Sequence, residues 1–382
     1  MQEELEILII GGGLAGLTAA LHLQRVSACV TLIEKNEFPQ HKVCGEYISN
    51  EVLPYFRWLD LDVASLKPNI IHQFQLTTLN NSSLNTNLSQ GGFGISRYML
   101  DYYLYQQLIK RGIHVIKDRV ITIEFRDDQF LITLASGKEL TAKQIIGAYG
   151  KRSAIDVKLG RTFIQKTSPF LAVKGHYKGD FPNGLVAIHN FKGGYCGVSK
   201  VEDEKINICY LADYDSFKQH KNIKNYQEKV LYQNKNLETI FREFTPLYHE
   251  PLVISQLYFG EKKMVENHIL MIGDTAGLIH PLCGNGMAMA IHGAKIISEL
   301  LTKYKHGKIG SREELETLYR QQWTFEFSTR LKMGRILATA FRKESLSNLL
   351  ISGLAKFPSL LNKIIEKTYG KPIINDVDRY NG

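Results

Sequence analysis

The run Leu5-Glu6-Ile7-Leu8-Ile9-Ile10-Gly11-Gly12-Gly13-Leu14-Ala15-Gly16 decides how this chain is read. Leu5 to Ile10 is branched and largely apolar, as in a strand buried on both faces of a parallel sheet. Gly11, Gly13 and Gly16 then fit G-x-G-x-x-G. The first glycine permits the tight turn, the second lets the backbone approach a pyrophosphate, and the third lets helix and strand pack closely. Leu17 to Arg25 continues as a helix whose N-terminus offers free N–H groups and a positive dipole end to phosphates. Cys29 to Ile33 forms a second strand and ends at Glu34. A carboxylate there accepts hydrogen bonds from both ribose hydroxyls and repels a 2′-phosphate, so NADP is a poor occupant.

Farther along, Arg97 to Arg111 has helical periodicity, and Gly112 ends it. His114 to Ile116 reads as a short strand, Val120 to Leu134 as a hairpin, and Gln144 to Ala148 as a strand entering Tyr149-Gly150-Lys151-Arg152-Ser153. From Ser168 to Gly260 the pattern changes to alternating strands: Leu171–Tyr177, Leu185–Asn190, Tyr195–Lys200 and Ile206–Ala212. A helix near Ile223 to Gln233 interrupts them, and Ile70 to Leu79 suits a further strand. Ile269 to Ile272 returns to the first style, Met287 to Leu301 is helical, and the chain is helical again from Glu313.

Gly273-Asp274-Thr275-Ala276-Gly277-Leu278-Ile279-His280-Pro281-Leu282-Cys283-Gly284-Asn285-Gly286 is a second motif. Asp274, after a buried strand, can hold a ribityl hydroxyl. The glycines bring backbone N–H groups against a flat ligand. A helix starting near Gly286 aims its positive end at that ligand and stabilises negative charge on it.

With these segments in view, the chain resembles the FAD-dependent group that includes aromatic hydroxylases of the p-hydroxybenzoate hydroxylase type, geranylgeranyl reductases and flavin-dependent halogenases. The resemblance rests on the glycine turn with Glu34, Lys42-Val43-Cys44-Gly45-Glu46, Arg97 with Asp101, Gly147 to Ser153, and Gly273-Asp274 through Ala290. It implies an α/β fold in which a Rossmann-like FAD-binding domain (1–69, 91–165 and 268–330) is interleaved with a mixed β-sheet substrate domain (70–90 and 166–267). Helices over 331–382 complete it. Motifs and resemblance together give the expected FAD contacts: Gly11, Gly13, Leu14, Ala15, Gly16, Glu34, Lys35, Cys44, Gly45, Arg97, Val120, Gly150, Asp274, Pro281, Gly284, Asn285, Gly286 and Met287. Cys44, Glu46, His280 and Tyr195 are the expected catalytic side chains. Cys44 is a thiol beside the ring, Glu46 a loop anchor or acid, His280 a proton donor, and Tyr195, with His189, a cavity residue. Tyr149 departs from the family's Gly-Ala-Asp-Gly, and the Trp-containing halogenase motif and the aromatic-Phe-Pro reductase motif are absent.

Composition narrows the function. Hydrophobic residues make up 44% and charged residues 22%, a globular balance. Net charge is +9, and +6 of it falls between Leu331 and Pro372, where eight basic residues meet two acidic ones. No nucleic-acid module accompanies that charge. Leu346, Leu349, Leu350, Leu354, Phe357, Leu360, Leu361, Ile364 and Ile365 lie among the basic residues, so membrane-surface contact is the alternative to a packed helical cap. The five cysteines have no zinc-ligand spacing, the start is acidic, and no apolar run spans a bilayer. A cytoplasmic protein with reduced thiols and no metal is the expectation. The expected reaction is monooxygenation of a small aromatic or apolar metabolite through a flavin C4a-hydroperoxide, with NAD(P)H as transient electron donor. Saturation of a carbon–carbon double bond and a catalytically inactive flavin-binding protein are the alternatives.

Overall fold

The computed structural model describes residues 3–80, 82–342 and 358–374. The glycine turn sits where the sequence places it. Glu3–Ile10 pairs in parallel with Val30–Glu34 on one side, Ile10 facing Ile33, and with Glu139–Gly147 on the other, Ile10 facing Gly147. Ile269–Met271 and Val265–Glu266 extend this first sheet at one edge and His114–Lys117 at the other. The hairpin Val120–Arg126 with Gln129–Leu134 joins it through the Glu139–Gly147 strand. Leu8 and Ile9 are wholly buried, as a strand covered on both faces requires.

The helices Leu14–Arg25 and Gly286–Lys305 pack against each other over this sheet. Close contact between helix and turn explains Gly16, where a β-carbon would overlap the Gly11 carbonyl oxygen and meet Ala148 Cβ at 3.3 Å. Gly11 itself has φ +110°, which a side chain would strain.

The second sheet runs in the order Thr245–Pro246, Phe170–Lys178, Ile206–Asp213, Gly194–Lys200, Leu185–Phe191, Asn69–Thr77, Ser83–Gly94, Tyr47–Ser49, with Leu252–Ser255 also paired to Phe170–Lys178. It is antiparallel except where Leu185–Phe191 meets Asn69–Thr77 in parallel. Short helices at Tyr214–Lys218, Ile223–Lys229 and Lys235–Glu243 cover one face through Tyr226, Leu231, Leu237 and Ile240. All four strands expected between 171 and 212 are present, as is the strand after Asn69.

Several elements were not expected, and three of them belong to the second sheet or its cover. Ser83–Gly94 is a 12-residue strand written in Ser, Asn, Thr, Gln and Gly, whose outer half is half-exposed and so carries little apolar signal. Tyr47–Ser49 is too short to read. Lys235–Glu243 is a third covering helix. Tyr47–Ser49 and residues 91–94 therefore belong to the second sheet, although they lie in segments expected with the first domain.

The long helix Arg312–Arg342 and the Pro358–Thr368 helix close the molecule. On the latter, Leu361, Ile364 and Ile365 turn inward while Lys363 and Lys367 are exposed. Leu346, Leu349, Leu350, Leu354 and Phe357 lie outside the described residues. Among the described residues, no helix is long and apolar enough to cross a membrane.

Replacing Gly16 by Ala should lower stability by about 1–3 kcal/mol through overpacking against the Gly11 carbonyl. Urea denaturation of the two proteins measures this; equal midpoints would show that the helix slides away without cost.

Candidate active site

Where the carboxyl ends of the first sheet's strands meet the second sheet lies a cavity with about 1060 Å³ of empty space. Gly13, Leu14, Ala15, Cys44, Gly45, Glu46, Arg97, Gly150, Asp274, Pro281, Gly284, Asn285, Gly286 and Met287 all line it, drawn from five separate stretches of chain. Two helices begin at its wall, at Gly13 and at Asn285, and neither has a side-chain cap. Their first-turn N–H groups are thus left for an anion. A β-carbon on Gly13 would find only Arg97 Nη2 at 3.9 Å and Lys42 Nζ at 4.0 Å, so two cations border open space at the turn. Both are held by the buried Asp101: Lys42 Nζ lies 3.1 Å from Oδ2, and Arg97 grips both oxygens at 2.8 and 2.7 Å.

Glu34 accepts the Gly12 N–H at 2.7 Å and the Asn36 N–H at 2.9 Å, which fixes its carboxylate beside the glycine turn. Gly11, Gly16, Glu34, Lys35 and Val120 do not line the cavity. Lys35 is exposed and Val120 is packed in the core.

The Cys44-Gly45-Glu46 loop is pinned from the second sheet. Glu46, buried and with φ +54°, accepts from Lys174 Nζ, from His176 Nε2 at 2.6 Å and from the Arg97 N–H at 2.8 Å. Asn207 Nδ2 donates to the carbonyls of Cys44 and Gly45 at 3.3 and 2.9 Å. Burial pushes the Glu46 carboxyl up, but the His176 hydrogen bond and the Lys174 charge outweigh it and hold the carboxyl below the usual range. Of the two roles expected for Glu46, these contacts bear on the anchor, and the resting group is a carboxylate. Lys174, His176 and Asn207 were missed. Their signal was present: Lys174 and His176 share one face of an otherwise apolar strand.

His280 is not where a proton donor is needed. Its ring packs among Phe170, Tyr195 and Phe259, lines neither this cavity nor its neighbour, and is driven by burial down to a pKa of about 3. Pro281, which follows it, lines both cavities. His189 is likewise away from it, bonded to Thr77 at 2.8 Å. The Asn285 side chain is spoken for: Nδ2 donates to Glu51 at 3.0 Å and Oδ1 accepts from Arg330 at 2.9 Å. Glu51 also accepts from the Gly370 N–H, and its carbonyl from the Ile373 N–H at 2.8 Å. Tyr149 points its hydroxyl at Met271 Sδ, 3.2 Å away. Lys262 staples the two neighbouring loops by donating to the Lys151 and Asp274 carbonyls, both at 2.8 Å.

A second cavity, with about 1160 Å³ of empty space, shares six wall residues with the first: Gly45, Tyr47, Ala172, Cys209, Pro281 and Gly284. Its wall is apolar sheet (Phe74, Leu76, Val186, Ile188, Leu211) faced by Leu337 and by Leu361, Ile364 and Ile365 of the terminal helix. Tyr195 lines it, and its buried hydroxyl has no partner among the described residues.

The family described as FAD binding domain matches residues 4–321, more than four-fifths of the chain. The chain belongs to that family. A digeranylgeranylglycerophospholipid reductase from Methanothermobacter thermautotrophicus is 25% identical, covering 89% of this chain and 88% of its own. The FAD-dependent monooxygenase janM from Penicillium janthinellum is 24% identical, covering 92% and 80%. Among solved structures, a flavoprotein/dehydrogenase from Cytophaga hutchinsonii superposes with a TM-score of 0.76 at 16% identity, covering 90% of this chain and 87% of that one. It shares the fold. The cavity fits FAD on this structure's own terms: two uncapped helix ends, open space over Gly13 bordered by cations, and bare glycine backbone at Gly45 and Gly150.

Glu46→Gln leaves Lys174 buried opposite a neutral amide and should cost about 3–5 kcal/mol in urea denaturation. The sign with pH follows from the lowered folded value. The Glu46 contribution is fully present above the unfolded carboxyl value of about 4.3. It is lost as pH falls through the folded value. The variant should lack that component of acid destabilisation, and identical acid profiles would refute the assignment.

Proposed function

We propose that this FAD-dependent oxidoreductase is a monooxygenase for a small aromatic or otherwise apolar substrate, reduced by NAD(P)H that binds only in passing. The observation that carries this reading is the wall of the second cavity. Among the described residues it contains no carboxylate, lysine, arginine or histidine. Bound FAD supplies the redox chemistry, accepting a hydride and activating O2. The chain's own residues supply position and dryness. The apolar sheet and terminal helix exclude water, and the wall shared through Gly45, Ala172, Pro281 and Gly284 puts the substrate next to the flavin pocket.

Saturating a double bond needs a proton donor at the substrate carbon as well as a hydride. The groups available in this cavity are poor acids. Burial raises the Tyr47 and Tyr195 hydroxyls well above their ordinary value and the Cys209 and Cys283 thiols to about 12. Oxygen transfer to an electron-rich ring makes no such demand. The lack of a second glycine fingerprint in the sequence is consistent with a nicotinamide that visits rather than resides.

One observation favours the second reading, reduction of isoprenoid double bonds: Cys44 lines the flavin pocket as a free thiol, and the relatives include reductases acting on geranylgeranyl lipids.

Purified holoprotein supplied with NADPH and a panel of apolar phenols under 18O2 should consume NADPH and give a product carrying one labelled oxygen. Anaerobic saturation of an isoprenoid alkene, with no label incorporated in air, would sink the monooxygenase reading. Tyr195→Phe should leave the thermal midpoint equal or higher, since an unpartnered hydroxyl is removed. It should raise KM about tenfold, the worth of one hydrogen bond to substrate.

A further inference from the structure

Glu46 is a residue of the FAD pocket wall, and its buried carboxylate is the inner end of a hydrogen-bond chain leading away from the pocket. Its Oε2 accepts from His176 Nε2 at 2.6 Å. His176 Nδ1 lies 2.5 Å from the Tyr248 hydroxyl, which lies 3.1 Å from His41 Nδ1. Glu46 and His176 are buried, whereas Tyr248 and His41 are part-exposed. The chain therefore runs from the pocket wall to the protein surface through three links and no gap.

One set of tautomers gives the chain a continuous donor sense. The carboxylate only accepts, so His176 Nε2 carries the proton. With one proton on that ring, Nδ1 accepts from Tyr248, and the Tyr248 oxygen accepts from His41 Nδ1–H. Every donor points inward. Burial and the nearby Lys174 lower the His41 pKa to about 4, which keeps a single proton on that ring at neutral pH. The groups facing His41 are Tyr98, stacked at 4.4 Å, Tyr248 and His176, with the charges of Lys174, Glu46 and Lys205 nearby.

The Glu46 carboxylate is already held by Lys174, His176 and the Arg97 N–H. The two outer members add nothing to that anchor, yet they are aligned with it. We propose that His41, Tyr248, His176 and Glu46 form a proton relay between solvent and the FAD pocket. One solvent proton binds His41 Nε2 as the Nδ1 proton passes to Tyr248. The hydroxyl proton of Tyr248 passes to His176 Nδ1, and the His176 Nε2 proton passes to Glu46. One proton enters, one arrives, and every intermediate group keeps its proton count. The same steps reversed release it. A negative charge gained in the pocket raises the proton affinity of the Glu46 carboxylate and so favours inward transfer. The relay rests on FAD binding and not on which reaction follows.

Tyr248→Phe removes the one hydroxyl between the two imidazoles and keeps the ring that packs on both. Photoreduction of the holoprotein in weakly buffered solution, with a pH-indicator dye, reads proton uptake directly. Uptake should slow by about tenfold or more in the variant, with an unchanged flavin absorption spectrum and partial rescue by added imidazole. His41→Asn should give the same slowing without touching Glu46. Equal uptake rates in the wild type and both variants would overturn the relay. Histidine NMR on the apoprotein gives a reading that needs no flavin: in the wild type, titrating His41 should shift the His176 resonances, and Tyr248→Phe should remove that coupling. Independent titration in the wild type would overturn the relay whether or not FAD binds.

Discussion

A single buried carboxylate holds the two halves of this molecule in register. Glu46 sits on a loop that leaves the first sheet, takes its hydrogen bonds from Lys174 and His176 on the second sheet, and receives the backbone N–H at the start of the Arg97–Lys110 helix. Burying a charge is costly unless it is paired and fully hydrogen-bonded, and here both conditions are met. The requirement works in reverse as well. Because the carboxylate tolerates no other arrangement, the loop bearing Cys44 and Gly45 has one position relative to both sheets. The shared wall of the two cavities follows from that position. If the pair were lost, nothing would fix the loop between the two cavities.

What could be read from the residues was whatever has a period or a backbone rule. The glycine turn, the buried strands around Ile9 and Ile33 and the alternating strands after Leu171 all announce themselves by spacing. The Ser83–Gly94 strand did not, because its half-exposed polar outer half is held by pairing with Asn69–Thr77, and of its apolar side chains only Leu88 and Phe93 are buried. The site divides in the same way. Backbone-defined positions such as Gly13, Gly284 and Gly286 line the cavity as expected. His280 does not, because the direction of a side chain leaving a loop is set by its neighbours, here Phe170 and Phe259, and no local pattern encodes them. Lys174 and His176 are polar residues on a buried strand. Such residues call for partners, and the partner lies about 130 residues earlier in the chain.

The two cavities divide the chemical labour by polarity. The flavin pocket is bounded by helix ends, cations and exposed peptide groups, and it suits a ligand with phosphates and a polar ring edge. Its neighbour is walled largely by branched and aromatic side chains, and two of the tyrosines lining it, Tyr195 and Tyr210, have buried hydroxyls without a partner among the described residues. On the proposed reading, an apolar guest would be favoured there by removal from water.

The network around Glu51 ties the pocket wall to distant parts of the chain. The loop that meets the flavin is held through Asn285 by Glu51 and Arg330, and Glu51 is in turn closed off by Gly370, 319 residues farther along the chain. Segments around Glu51, Asn285, Arg330 and Gly370 therefore meet at one point behind the pocket wall. Each of them holds its place through the others, so this part of the wall behaves as one cooperative unit.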